Sequence, residues 1–141
     1  MPPKRLWLCI LVTFLVLWIT DFVIHGVILR TAYTNTQELW RPEEVMPRYM
    51  PWMFVGQFIM AAMMTLIYAH GFAQKRSLRC ALMFGFVMGL HGLGFVPIYY
   101  AIAPWPGLLC IKWVVLGLMQ STLLGWVLFK LGSSAATESA A

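Results

Sequence analysis

Charge is scarce in this sequence: 11% of its 141 residues are Asp, Glu, Lys or Arg, against 61% hydrophobic. Soluble domains carry about 25% charged residues. The deficit excludes a water-soluble globular fold, because so short a polypeptide has no room to hide that much apolar surface inside itself, and lipid becomes the expected solvent. Cysteine is scarce as well. Cys9, Cys80 and Cys110 form no C-x-x-C pair and no zinc spacing, so they read as small apolar fillers. The sequence lacks any nucleophile motif, phosphate loop or dinucleotide fingerprint. Glu43 and Glu44 fall on a polar loop and do not form a catalytic pair. Enzymatic activity is therefore not expected. The net charge of +5 does not indicate nucleic acid, since the basic residues sit in short clusters beside apolar runs, which is a topology signal.

What is present is four long apolar runs, at about 7–29, 51–68, 80–102 and 108–128. About 20 apolar residues cross the hydrocarbon core, and backbone groups in lipid must bond within the segment, so each run predicts a helix. The basic start Met1-Pro2-Pro3-Lys4-Arg5 precedes a run too long for a signal peptide, with no A-x-A site after it, so the first run reads as an uncleaved anchor. Lys4, Arg5, Lys75, Arg76, Arg79 and Lys130 mark the cytoplasmic ends, against a weaker contrary signal from Arg30, Arg41 and Arg48, which share the outer loop with Glu38, Glu43 and Glu44. The fold expected is an all-α membrane protein, residues 1–131, of four transmembrane helices in two antiparallel hairpins, with both termini cytoplasmic. Residues 132–141, small and polar, read as a disordered tail. The outer face then collects Tyr33, Trp40, Tyr49, Trp52, Tyr99, Tyr100 and Trp105, an aromatic belt. In the outer loop, 31–50, Pro42-Glu43-Glu44 resembles a helix start. It predicts a short surface helix limited by Pro47 and Pro51. His70 with Gly71 reads as a helix C-cap with the glycine left-handed.

Small residues suggest how the helices meet. Gly85, Gly89 and Gly92 stripe the third run, and Gly117, Ser121 and Gly125 stripe the fourth. Such stripes let backbones approach closely in lipid. An antiparallel turn near Trp105 would set Gly85 against Gly125, Gly89 against Ser121 and Gly92 against Gly117. A faint repeat also shows. His25-Gly26 with Tyr33 eight residues on matches His91-Gly92 with Tyr99, and Gln57 matches Gln120.

Ionisable groups at membrane depth cost about 2.5–3.5 kcal/mol each and are functional candidates by default. Asp21 lies roughly 12 Å inside the outer end of the first helix, with His25 one turn outward on the same face. His91 lies roughly 16 Å inside the third. Gln57, Lys112 and Gln120 complete a polar set to which all four helices contribute. Several readings compete. Asp21 and His25 bond each other and the rest only stabilise the bundle, or Asp21 and His25 titrate along a proton or small-solute pathway with Lys112 as counter-charge. Haem ligation by His25 and His91 is weaker, because their depths differ by roughly 9 Å. A divalent metal on Asp21, His25 and His91 lacks dense ligand spacing. No cofactor is expected.

The segments Thr20-Asp21-Phe22-Val23-Ile24-His25-Gly26, Leu39-Trp40-Arg41-Pro42-Glu43-Glu44 and Pro51-Trp52-Met53 resemble small four-helix bacterial inner-membrane proteins of a domain family with no assigned function. The resemblance covers mainly the first two helices and the loop between them. It implies a bacterial inner-membrane location and carries no activity. Two function classes follow from the sequence. One is a small membrane protein handling a proton, ion or small solute at an outer-half polar site. The other is an accessory or assembly subunit packed, as a homo-oligomer or against a larger membrane complex, through its lipid-embedded faces.

Overall fold

The computed structural model describes the backbone of residues 2–138 and the side chains of residues 2–132. Among these the protein is helical throughout, with no strand. Helix α1 (Pro3–Asp21) runs directly into a π-helical stretch, Phe22–Ile28, and α2 (Arg30–Thr34) follows. The other helices are α3 (Met46–Gly71), α4 (Leu78–Leu93), α5 (Phe95–Ile102) and α6 (Gly107–Glu138). Four stretches, Pro3–Ile28, Met46–Gly71, Leu78–Ile102 and Gly107–Gly132, are long and apolar enough to cross a membrane. The protein is a multi-pass membrane protein. Its outward surface fits that solvent: Ile98 is 63% exposed, Met119 65% and Ile102 74%, which water would penalise and acyl chains do not.

Proline and glycine set the helix ends. Pro3 occupies the first turn of α1, where its missing N–H is not needed. The short surface helix expected from Pro42 does not form. Glu43–Val45 make a turn, and α3 starts at Met46 with Pro47 in its first turn. Pro51 lies inside α3 and removes only the bond to the Pro47 carbonyl, so the helix runs through it. The loop before it carries α2 and a 3-10 turn, Gln37–Leu39. The third span, expected as one helix, is interrupted at Gly94. Pro97 has no N–H for the Leu93 carbonyl, which is why the helical ladder breaks there. At the far end α6 stays helical to Glu138, through most of the stretch expected as a polar tail. Residues 139–141 lie outside the described residues. Gly71 is helical and not left-handed; the left-handed residue of that turn is Arg76, at φ 45°.

Helices α4 and α6 make the closest packing. A Cβ on Gly85 would press on the Ser121 carbonyl oxygen and sit 3.0 Å from Thr122 Cα. One on Gly125 would press on the Ala81 carbonyl oxygen and sit 3.1 Å from Gly85 Cα. Gly89 meets Ser121, and Gly117 meets Leu93 at 2.9 Å. The expected partner of Gly117 was Gly92, which has nothing within 4 Å of its Cβ position. The contacting residues of α4 are 85, 89 and 93, spaced by four, and Gly92 falls off that row. Helix α1 packs on α3 through Leu17, Ala61, Met64 and Tyr68, and Phe84, Leu124 and Leu128 close the same core. Phe14 meets Phe58 edge-on at 5.7 Å. At one end of the molecule the Arg5 guanidinium donates to the Leu131 carbonyl, Lys75 lies over Phe72 at 5.1 Å and Lys130 over Trp126 at 5.7 Å. The opposite end is aromatic.

Candidate functional site

Three of the four spans meet at one carboxylate. Asp21 ends α1. Gln57 of α3 donates through Nε2 to Asp21 Oδ2 at 2.5 Å, and Gln120 of α6 donates through Nε2 to Oδ1 at 2.7 Å. The two carboxamides differ in how firmly they are held. Gln120 Nε2 also lies 2.8 Å from Thr20 Oγ1 and 3.4 Å from the Leu17 carbonyl. Thr20 turns its hydroxyl proton back to the Val16 carbonyl at 2.7 Å, which leaves oxygen lone pairs for Gln120. Gln57 has its single bond to Asp21, and its buried Oε1 has no partner among the described residues. Hydrogen bonds to a charged group contribute about 1.5–3 kcal/mol each. Two of them offset the cost of about 2.5–3.5 kcal/mol for placing a carboxylate at membrane depth.

His25 is not part of that cluster. The sequence placed it beside Asp21, one α-helical turn on. The π-helical stretch has a wider turn, marked by the Leu29 N–H bonding the Ile24 carbonyl at 2.9 Å. Ile24 goes into the core and His25 remains exposed. The Asp21–His25 bond expected from sequence is replaced: Asp21 takes the two carboxamides, and His25 Nδ1 lies 2.5 Å from the Tyr33 hydroxyl. Trp113 Nε1 donates to the same hydroxyl at 2.8 Å. An indole N–H can only donate, so Trp113 uses one lone pair of the Tyr33 oxygen and leaves the Tyr33 proton available to His25 Nδ1. Burial pushes the Tyr33 phenol above its ordinary range; the Trp113 bond pulls it down, and the negative charge of Asp21 pushes it up.

Aromatic rings close this end. Trp40 packs edge-on to Tyr33 at 5.2 Å, stacks on Trp105 at 6.2 Å and anchors its indole N–H on Thr36 Oγ1 at 2.9 Å. Trp105 meets Trp113 at 4.8 Å and Tyr99 at 5.3 Å. Arg41 lies 4.0 Å over the Tyr49 ring, and Glu43 and Glu44 are exposed.

Of the six polar residues singled out from sequence, Asp21, Gln57 and Gln120 come together. His25 joins Tyr33 and Trp113. His91 and Lys112 are exposed on their helices and belong to neither cluster. The repeated His-Gly-Tyr spacing is used once: His25 bonds Tyr33, whereas Tyr99 stacks on Trp105. Asp21, His25 and His91 form no metal-holding group among the described residues. Thr20 and Trp113 join the site although neither stands out in the sequence as an ionisable group at membrane depth. Tyr33 stands out there only through the belt and the repeat. Nor do the hydroxyls of Thr13 and Thr65, which are fully buried and without partners among the described residues. No family model matches the sequence, and no curated protein or solved structure matches it either.

Proposed function

We propose that this protein loads and releases a small charged solute, a proton or a small cation, at Asp21, from the outer face of a bacterial inner membrane. The observation that carries this reading is the convergence of Gln57 and Gln120, from two other helices, on a carboxylate inside apolar spans. Structural glue alone does not need an ionisable group there: with the Gln57 amide turned to present Oε1, an Asn would pair with both carboxamides and bring no charge into the membrane. In this reading the spans form a compact four-helix bundle of two antiparallel hairpins. The basic end is cytoplasmic by its lysines and arginines, which puts both termini inside. The aromatic end faces out, and Trp40 covers the approach past His25 and Tyr33.

A second reading, an accessory or oligomeric role, draws on different residues. His91 and Lys112 are exposed on apolar helices. A groove of about 470 Å³ lies between α5 and α6, lined by Val96, Pro97, Tyr100, Cys110 and Val114. These support packing against another membrane protein. The test is solute flux in proteoliposomes of purified protein, with a pH-sensitive dye for protons and a sodium- or potassium-sensitive dye for cations. The site reading expects a flux that Asp21→Asn removes and that His91→Ala leaves intact. Equal flux from wild type, Asp21→Asn and empty liposomes sinks it.

A further inference from the structure

The unequal grip of the two carboxamides has a chemical consequence. Gln120 spends its two N–H groups on Asp21 Oδ1 at 2.7 Å and Thr20 Oγ1 at 2.8 Å, with the Leu17 carbonyl beside them at 3.4 Å. Gln57 is 9% exposed, holds Asp21 Oδ2 by Nε2 alone, and keeps Oε1 without a partner among the described residues. Half a turn of the Gln57 amide about its terminal torsion would therefore break no bond except the one to Asp21. Which bond replaces it depends on the carboxyl group. An ionised carboxylate only accepts, so it needs Nε2–H. A protonated carboxyl donates from Oδ2–H, so it needs Oε1.

We propose that the ligand of this site is a proton and that Gln57 is its two-position partner, turning its amide when Asp21 changes protonation state. This rests on the reading of Asp21 as the working group and names its solute. On loading, a proton from water at the aromatic end binds Oδ2. The Nε2–H to Oδ2 bond breaks, the Gln57 amide turns, and an Oδ2–H to Oε1 bond forms. Gln120 keeps donating to Oδ1, which accepts in both states, so the carboxyl group does not move. Release runs the same steps backwards. Each state leaves one end of the Gln57 amide unpaired, so the amide itself biases neither strongly. A metal cation fits less well, because both carboxylate oxygens face N–H donors, whose positive ends would point at it. The titratable groups closest in influence are His25, one turn outward, and Tyr33 on α2. Helices α3 and α6 present only the carboxamides.

Infrared difference spectroscopy of the full-length protein in lipid vesicles tests this. Asp21 is the only aspartate in the sequence, so carboxyl-labelled aspartate reports it without substitution. Between about pH 4 and about pH 10 the expected spectrum gains a label-shifted carboxylic C=O band on acidification, together with a displaced glutamine amide C=O band. Gln57→Met should lose the glutamine displacement and keep the aspartate band, with wild-type helical circular dichroism as the folding check. An aspartate band with no Gln57-dependent glutamine band overturns the switch and leaves Asp21 as a proton site. No aspartate band, with the carboxylate signal answering instead to added sodium, overturns the proton as ligand and leaves the site reading standing. Silence to both ions overturns both.

Discussion

Gly85→Ala is the sharpest probe of how these helices are held. The added methyl would press on the Ser121 carbonyl oxygen and lie 3.0 Å from Thr122 Cα and 3.2 Å from Gly125 Cα. These are backbone atoms, so no side-chain rotation clears the space, and α4 and α6 must separate. Overpacking of this kind costs about 1–3 kcal/mol, and contacts opened by a fraction of an ångström forfeit a quarter to a half of their dispersion energy. Gly89→Ala should cost less, because Ser121 Oγ and Leu118 Cδ2 can turn aside and only Ser121 Cβ, at 3.0 Å, is fixed. Gly92→Ala meets nothing within 4 Å and should be neutral. The assay is reversible unfolding in mixed micelles, followed by circular dichroism. Gly85→Ala should fall about 1–3 kcal/mol below Gly92→Ala. Equal stabilities for the two variants would refute the close approach of α4 and α6.

Three further outcomes follow from other parts of the molecule. Tyr33 should deprotonate late. Its folded value lies above its unfolded one, so its contribution is intact below about pH 10 and fades as pH rises through the folded value; Tyr33→Phe should remove one late tyrosinate signal and that alkaline loss of stability. Trp40→Ala removes the ring that covers Tyr33, Trp105 and Trp113, and should speed quenching of Trp fluorescence by iodide several-fold; unchanged quenching would show that Trp40 is no cover. Single cysteines at exposed Gln37 and Gln74, with Cys9, Cys80 and Cys110 changed to Ala, should react with an impermeant reagent from outside at the first position only. The reverse pattern would invert the proposed topology.

The spans were legible in the sequence because lipid makes a simple demand: long apolar runs, with all backbone bonds internal. The departures trace to residues whose effect is local. Pro97 breaks the third span four residues after Leu93, a signal that was present and passed over. Pro47 reads as a helix end but serves as a helix start, because a first turn does not use its missing N–H. The π-helical stretch was not legible. Phe22–Ile28 contains nothing that forbids an α-helix, and the extra residue in its turn follows from packing Ile24 and Leu29 into the core with Tyr33 and Trp113 around them. Along that stretch His25 pairs with the Tyr33 hydroxyl and not with Asp21. As for the polar set, the sequence showed that all four helices contribute, but not which side chains share a face across helices. Gln57 and Gln120 point to Asp21, while His91 and Lys112 point out.

A double-mutant cycle between Asp21 and Gln120 measures the join directly. Unfolding free energies are needed for wild type, Asp21→Leu, Gln120→Leu and the double variant, in the same micelles. If the carboxylate and the carboxamide are bonded as described, the coupling should be about 1.5–3 kcal/mol, the range for a hydrogen bond to a charged group. Simple additivity, within about 0.5 kcal/mol, would mean that the two side chains do not meet.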